Sequence, residues 1–157
     1  MSQTSYDLSA KTTVPKFAMT QITVEEFQKF WPRLEEMLDC VPHTWRYWTK
    51  DHIYQSIAND AVQIWGIGPP PKATFVMLTS VNVYPAMRVL TAIWAAGTFE
   101  DEMIPLIDAT MTSYAKLNGC EMLEIRGRPG WDPKFRSVGF KREALIWTRP
   151  LNNSRLN

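Results

Sequence analysis

The 157 residues have room for one domain with a substantial core, since a chain of about 150 residues buries roughly 68–70% of its unfolded surface. Seventeen basic and 16 acidic residues leave a formal net charge of +1, which excludes a global field that would draw the protein to nucleic acid or membrane. With 45% apolar and 21% charged residues, the composition also excludes a disordered or collagen-like chain.

Residues 1–15 are rich in Ser and Thr, offer little to bury and read as a flexible arm, without the apolar stretch of a secretory signal. Lys16 to Ile22 reads as a first strand. Thr23 and Glu26 make a capping box, and Phe27, Phe30, Trp31, Leu34, Met37 and Leu38 follow at helical spacing, with Pro32 expected to kink or divide the helix. Thr49 and Asp51 open a second, short helix carrying Ile53 and Ile57. Val62 to Ile67 reads as a strand ended by Gly68-Pro69-Pro70-Pro71, because consecutive prolines donate no ladder bonds. Thr74 to Val83 and Met87 to Ala95 then form an antiparallel pair. A long helix from about Glu100 to Asn118 places Met103, Ile107, Met111 and Tyr114 on one face and ends at Asn118-Gly119; Tyr114 on that face reads as core. A strand at Met122 to Arg126, a short helix at Trp131 to Val138 and a last strand at Phe140 to Thr148 complete the domain. Residues 16–150 are thus one α/β (α+β) domain, a mixed and mostly antiparallel sheet of about six strands flanked by about four helices, with 151–157 as a tail.

No apolar run approaches the roughly 20 residues that span a bilayer. Cys40 and Cys120 form no metal-binding motif and read as buried, reduced thiols. His43 and His52 are isolated and not at metal spacing.

The order of elements resembles that of the acyl-CoA N-acyltransferase (GNAT) fold. A narrower likeness lies in Asn118-Gly119-Cys120, Glu124-Ile125-Arg126-Gly127-Arg128-Pro129-Gly130-Trp131 and Val138-Gly139-Phe140, joined by Gln63-Ile64-Trp65 and Val83-Tyr84-Pro85. These segments resemble a group of small GNAT-like proteins encoded by bacteriophages. Active members of the fold carry spaced glycines after the fourth strand, where backbone amides at a helix N-terminus hold the cofactor pyrophosphate. This chain has Ala95-Ala96-Gly97-Thr98-Phe99-Glu100-Asp101-Glu102 there: one glycine, no base, and three carboxylates expected in the first helical turn. Each like-charge contact with a pyrophosphate costs on the order of 1–4 kcal/mol.

The resemblance and the altered loop together imply a non-catalytic phage structural or assembly protein of the tail, connector or internal ejected set. Such a protein would be made in the host cytoplasm, located in the virion, and without a cofactor. Its partners would be other phage structural proteins; nucleic acid is not expected as a primary partner, and a homo-oligomer is left open. The candidate contact surface is Trp45, Arg46, Tyr47 and Trp48 with the basic residues Arg126, Arg128, Lys134 and Arg136, aromatics and Arg being enriched at binding hot spots. The alternative is an N-acetyltransferase that holds acetyl-CoA through backbone N–H groups of Gly97 and Thr98. A third reading is a small effector that binds a host protein through the basic cluster.

Overall fold

The computed structural model describes residues 17–41, 47–127 and 129–151. The chain divides into two units, Met1–Arg126 and Gly127–Asn157.

The first unit is built on a sheet with strand order β1 (Met19–Gln21), β2 (Gln63–Ile67), β3 (Phe75–Val83), β4 (Arg88–Gly97) and β5 (Met122–Ile125). Neighbours from β1 to β4 are antiparallel, and β4 pairs with β5 in parallel. Helix α1 (Val24–Asp39) starts where the capping box places it: Thr23 Oγ1 accepts from the Glu26 N–H at 3.2 Å, and Glu26 Oε2 accepts from the Thr23 N–H at 3.0 Å. The helix runs through Pro32 as one element rather than being divided. Helix α2 (Lys50–Ala58) is capped by Thr49, and Lys50 Nζ ties it to α1 through Glu35 at 3.0 Å and Asp39 at 3.1 Å. The hydrogen bond it donates to Glu35, then that to Asp39, holds the Lys50 ammonium above the ordinary lysine value.

Two apolar clusters lie on the two faces of the sheet. On one face Phe27, Leu34 and Leu38 of α1 and Ile53 and Ile57 of α2 pack against Ile64, Val76, Leu78 and Ala96. On the other, Met103, Ile107, Met111 and Ala115 of α3 (Met103–Leu117) pack against Trp65, Ile67, Phe75, Met77 and Leu90. The period-two alternation of β2 and β3 feeds both clusters at once, which is why β2 is buried throughout. Helix α3 ends in a Schellman arrangement, with Gly119 at φ +68°, its N–H donating to Lys116 O at 3.2 Å and the Cys120 N–H to Ala115 O at 2.8 Å.

A polar chain crosses the α3 face. The Trp65 Nε1–H donates to Thr79 Oγ1 at 2.9 Å, the Thr79 hydroxyl to Gln63 Oε1 at 3.1 Å, and Gln63 Nε2 to Asp60 O at 3.3 Å. Tyr114 stands edge-on to Trp65, ring centroids 4.9 Å apart. Burial, then the carboxylate of Asp60 and the sulfur of Cys120, pushes the Tyr114 phenol above its ordinary value.

The second unit holds a 3₁₀ turn at Pro129–Trp131 and helix α4 (Asp132–Arg136). Trp131 stacks on Phe135 at 5.5 Å, and Phe140 meets Phe135 edge-on at 5.6 Å. The chain reversal there uses Gly139, at φ +92°, whereas Gly130 keeps an ordinary φ inside the 3₁₀ turn.

Two expectations require correction. Among the described residues the sheet has five strands, because Phe140 to Thr148 forms none: from Lys141 onward its side chains are exposed, and the Phe140 N–H closes a local turn onto Phe135 O at 3.1 Å instead of entering a ladder. Cys40 is exposed rather than buried, since it is the C-cap of α1 and lies just past the apolar stripe.

Thr79→Val should destabilise the fold by about 1–3 kcal/mol in chemical denaturation, because it strands the Trp65 N–H and the Gln63 carbonyl in a buried site. At pH 8 a thiol-specific chromogenic reagent should label the exposed Cys40 quickly and Cys120 at least about tenfold more slowly, because burial both blocks access to Cys120 and raises its thiol. Burial raises the Cys120 thiol, opposed by Arg88, so its contribution to stability is intact below the ordinary thiol value of about 8.5 and is lost as pH climbs above it. The alkaline loss should shrink in Cys120→Ala.

Candidate functional site

Strand β4 has two different neighbours. Against β3 it is paired from Arg88 to Gly97, with one irregularity: Thr79 faces Ala92 and Leu78 faces Trp94, so Ile93 is an extra, bulged residue. Against β5 it is paired only from Val89 to Ala92, opposite Met122 to Ile125. The last bond across that boundary runs from the Arg126 N–H to Ala92 O at 3.3 Å.

Beyond Ala92 the two strands part. From Ile93 to Gly97, β4 keeps β3 on one side and has no ladder partner on the other among the described residues. The Thr98 N–H donates to Thr74 O at 2.8 Å, and the alternation of an antiparallel ladder then turns the N–H and C=O groups of Ala95 and Gly97 away from β3, into the gap. An extended ligand with its own amides can add here as a strand would. Gly97 is required at the end of this edge: its φ is +106°, and a Cβ would fall 2.1 Å from Thr74 O and 3.0 Å from the Phe75 Cα.

The segment after Gly97 differs from the expected first helical turn of carboxylates. Glu100, Asp101 and Glu102 precede α3, which begins at Met103. They form a tight turn in which the Met103 N–H donates to Glu100 O at 2.9 Å and the Ile104 N–H to Asp101 O at 3.1 Å, while Pro105 has no N–H to offer. The leading amides of α3 are thereby satisfied within the chain, and the Thr98 amide is committed to Thr74 O. The three carboxylates stand beside that end of the helix, where the dipole favours negative charge.

On the α1–α2 side of the sheet, Trp94 packs beside the gap. Trp48 meets it edge-on at 5.9 Å, and His52 lies against Trp48 at 4.9 Å. Trp48 and Trp94 are half-buried and His52 is exposed.

Of the proposed contact surface, Trp45, Arg46 and Arg128 lie outside the described residues. Tyr47 is 70% exposed, whereas its neighbour Trp48 turns inward to Trp94, so these two do not present one continuous face. Arg126 belongs to the first unit and pairs with Glu124, its Nε donating to Oε1 at 2.9 Å. Lys134 and Arg136 belong to the second, where Arg136 and Arg142 share Asp132 Oδ2, each at 3.0 Å. These local ion pairs spend much of the basic character that the linear sequence suggests. Trp94 and Glu124 were missed by sequence reasoning: both sit inside apolar strand patterns, and only the bulge and the split give them a common surrounding.

No protein-family model matches the sequence, and no curated protein matches it. Solved structures do match in fold. An aminoglycoside N-acetyltransferase in complex with CoA shares 13% identity at a TM-score of 0.61, covering 87% of this chain and 95% of that one. The glucosamine-6-phosphate N-acetyltransferase of Arabidopsis thaliana shares 9% identity at a TM-score of 0.61, covering 87% and 99%. A "predicted acetyltransferase" of Clostridium acetobutylicum, solved with acetyl-CoA, shares 9% identity at a TM-score of 0.62, covering 86% and 96%. At such identities the likeness is one of fold, and the chain has the GNAT-like α/β fold, with a five-stranded mixed sheet and four helices among the described residues.

These neighbours overturn the expectation of a non-catalytic structural component of a phage. They are described as acetyltransferases, several of them N-acetyltransferases, and nothing in them points to a virion.

Proposed function

We propose that the protein is an N-acetyltransferase that takes its acyl group from acetyl-CoA bound along the gap between β4 and β5. The observation that carries this reading is the parting of two parallel strands after Ala92, which leaves the inner edge of β4 open from Ile93 to Gly97. The amide-bearing arm of the cofactor fits that edge, with Ala95 and Gly97 as its backbone partners. Bound acetyl-CoA supplies an activated thioester. The protein orients that arm as an added strand and brings the acceptor side of the sheet, with Trp94, to the same gap.

The fit is poorer at the phosphate end. The Thr98 amide is engaged by Thr74 O, so only Gly97 keeps the role assigned to the pair in the sequence reading. The carboxylates of Glu100, Asp101 and Glu102 oppose a pyrophosphate beside them. The reading therefore entails weak cofactor affinity that rests on the arm more than on the phosphates. Membership among the phage-encoded proteins of this fold is our proposal on the motifs of residues 63–65, 83–85 and 118–140.

Calorimetric titration with acetyl-CoA at low ionic strength should give one-to-one binding with a Kd below about 1 mM. A flat titration at millimolar cofactor removes the reading. Replacing the three carboxylates together (E100Q, D101N, E102Q) should tighten binding by about tenfold at low salt, with the gain shrinking as salt screens the charges. Unchanged affinity in this variant would show that the acidic turn does not face the cofactor.

A further inference from the structure

On the α1–α2 face, the banks of the gap are chemically unlike. Leu90, Ala92 and Leu123 pack into the α3 core, so the alternation of β4 and β5 puts Thr91 and its partner Glu124 on the opposite face. The bulge at Ile93 then returns Trp94 to that same face. One bank therefore carries Trp94 with Trp48 and His52 behind it, and the other carries the Glu124 carboxylate. Trp94 stands opposite Leu78 and Thr91 opposite Ser80, two residues apart on β3 because Ile93 is bulged, which sets the aromatic group and the carboxylate about 7 Å apart along the strand direction.

Resting on the acetyltransferase reading, we infer that Trp48, Trp94 and Glu124 form the acceptor subsite, and that the acceptor is a monoamine carried on an apolar or aromatic body. Half-buried indoles offer flat apolar area for such a body and attract a cation through their faces. On the same face Phe27, Trp31 and Tyr54 form a ring cluster of their own, with centroid distances of 5.0–5.9 Å, and Trp48 with Trp94 forms a second, partly exposed one. The charge pattern sets the valence of the acceptor. Glu124 Oε1 already accepts from Arg126 Nε at 2.9 Å, so the pair is close to neutral. It receives one ammonium, and the adjacent guanidinium repels a second. Among the described residues β5 carries one carboxylate, shared with Arg126, to which a polyamine or an aminoglycoside brings several positive charges, and a sugar amine lacks the apolar body.

The test is made on the whole chain without cofactor, so that it stands apart from acetyl-CoA binding. Indole N–H resonances are followed by NMR during titration with phenethylamine, spermidine and glucosamine, and assigned with the Trp48→Phe and Trp94→Phe variants. Phenethylamine should shift the Trp48 and Trp94 signals and leave that of Trp65, bonded to Thr79, in place; spermidine and glucosamine should shift neither. Glu124→Gln should weaken phenethylamine binding by about tenfold. In turnover with acetyl-CoA, Trp94→Ala should raise the phenethylamine KM by about tenfold with kcat within about twofold, and Trp94→Phe should recover part of the loss. Preference for spermidine or glucosamine, or phenethylamine shifts confined to other residues, overturns the inference. If the indole shifts appear while acetyl-CoA fails to bind, the amine subsite stands and the cofactor reading falls.

Discussion

Strand β4 belongs to two ladders of unequal length, and the architecture of the candidate site follows from that inequality. Its antiparallel pairing with β3 is maintained to Gly97, while its parallel pairing with β5 stops at Ala92. The extra residue at Ile93 bends and twists the strand where its second neighbour is lost. An interior strand thus becomes an edge halfway along its length. Edges are a liability when they face solvent, since unpaired amides invite another chain. Here the edge lies between two strands of one sheet, where a ligand of limited width can use it.

The end of that edge is managed by steric rather than electrostatic means. Gly97 lets the backbone pass within contact of Thr74 and Phe75, and the Thr98 amide closes onto Thr74 O. The next residues form a turn that satisfies the first amides of α3 from inside the chain. An anion approaching this helix would meet committed donors and nearby carboxylates. Open backbone amides along the strand and committed donors beside carboxylates at its end are a combination that favours recognition through amides and shape.

Much of the local structure was legible from particular residues. Thr23 with Glu26 marked the start of α1, Thr49 that of α2, and Asn118-Gly119 the end of α3, because each cap is a hydrogen-bonding arrangement between residues two to five apart in the chain. The alternation of β2 to β4 and the apolar stripes of α1 and α3 were equally readable. The expected last strand failed on the same ground. The apolar alternation of residues 140–148 is compatible with a strand, but a strand exists only where a partner supplies its bonds, and none does among the described residues.

The candidate site was not legible, and the physical reason is distance along the chain. Trp48, Trp94 and Glu124 lie in separate elements, and their shared surrounding depends on a one-residue bulge that reverses the facing of every later side chain on β4. No local propensity records such a reversal. By itself the sequence determined the elements, their caps and the two apolar faces that layer helices on a sheet, since these follow from periodicity and short-range bonding. The tertiary structure alone decided where two parallel strands separate, which backbone amides are left open there, and which aromatic and acidic residues share a face of the sheet beside the gap, because these depend on pairing between segments that the chain brings together only on folding.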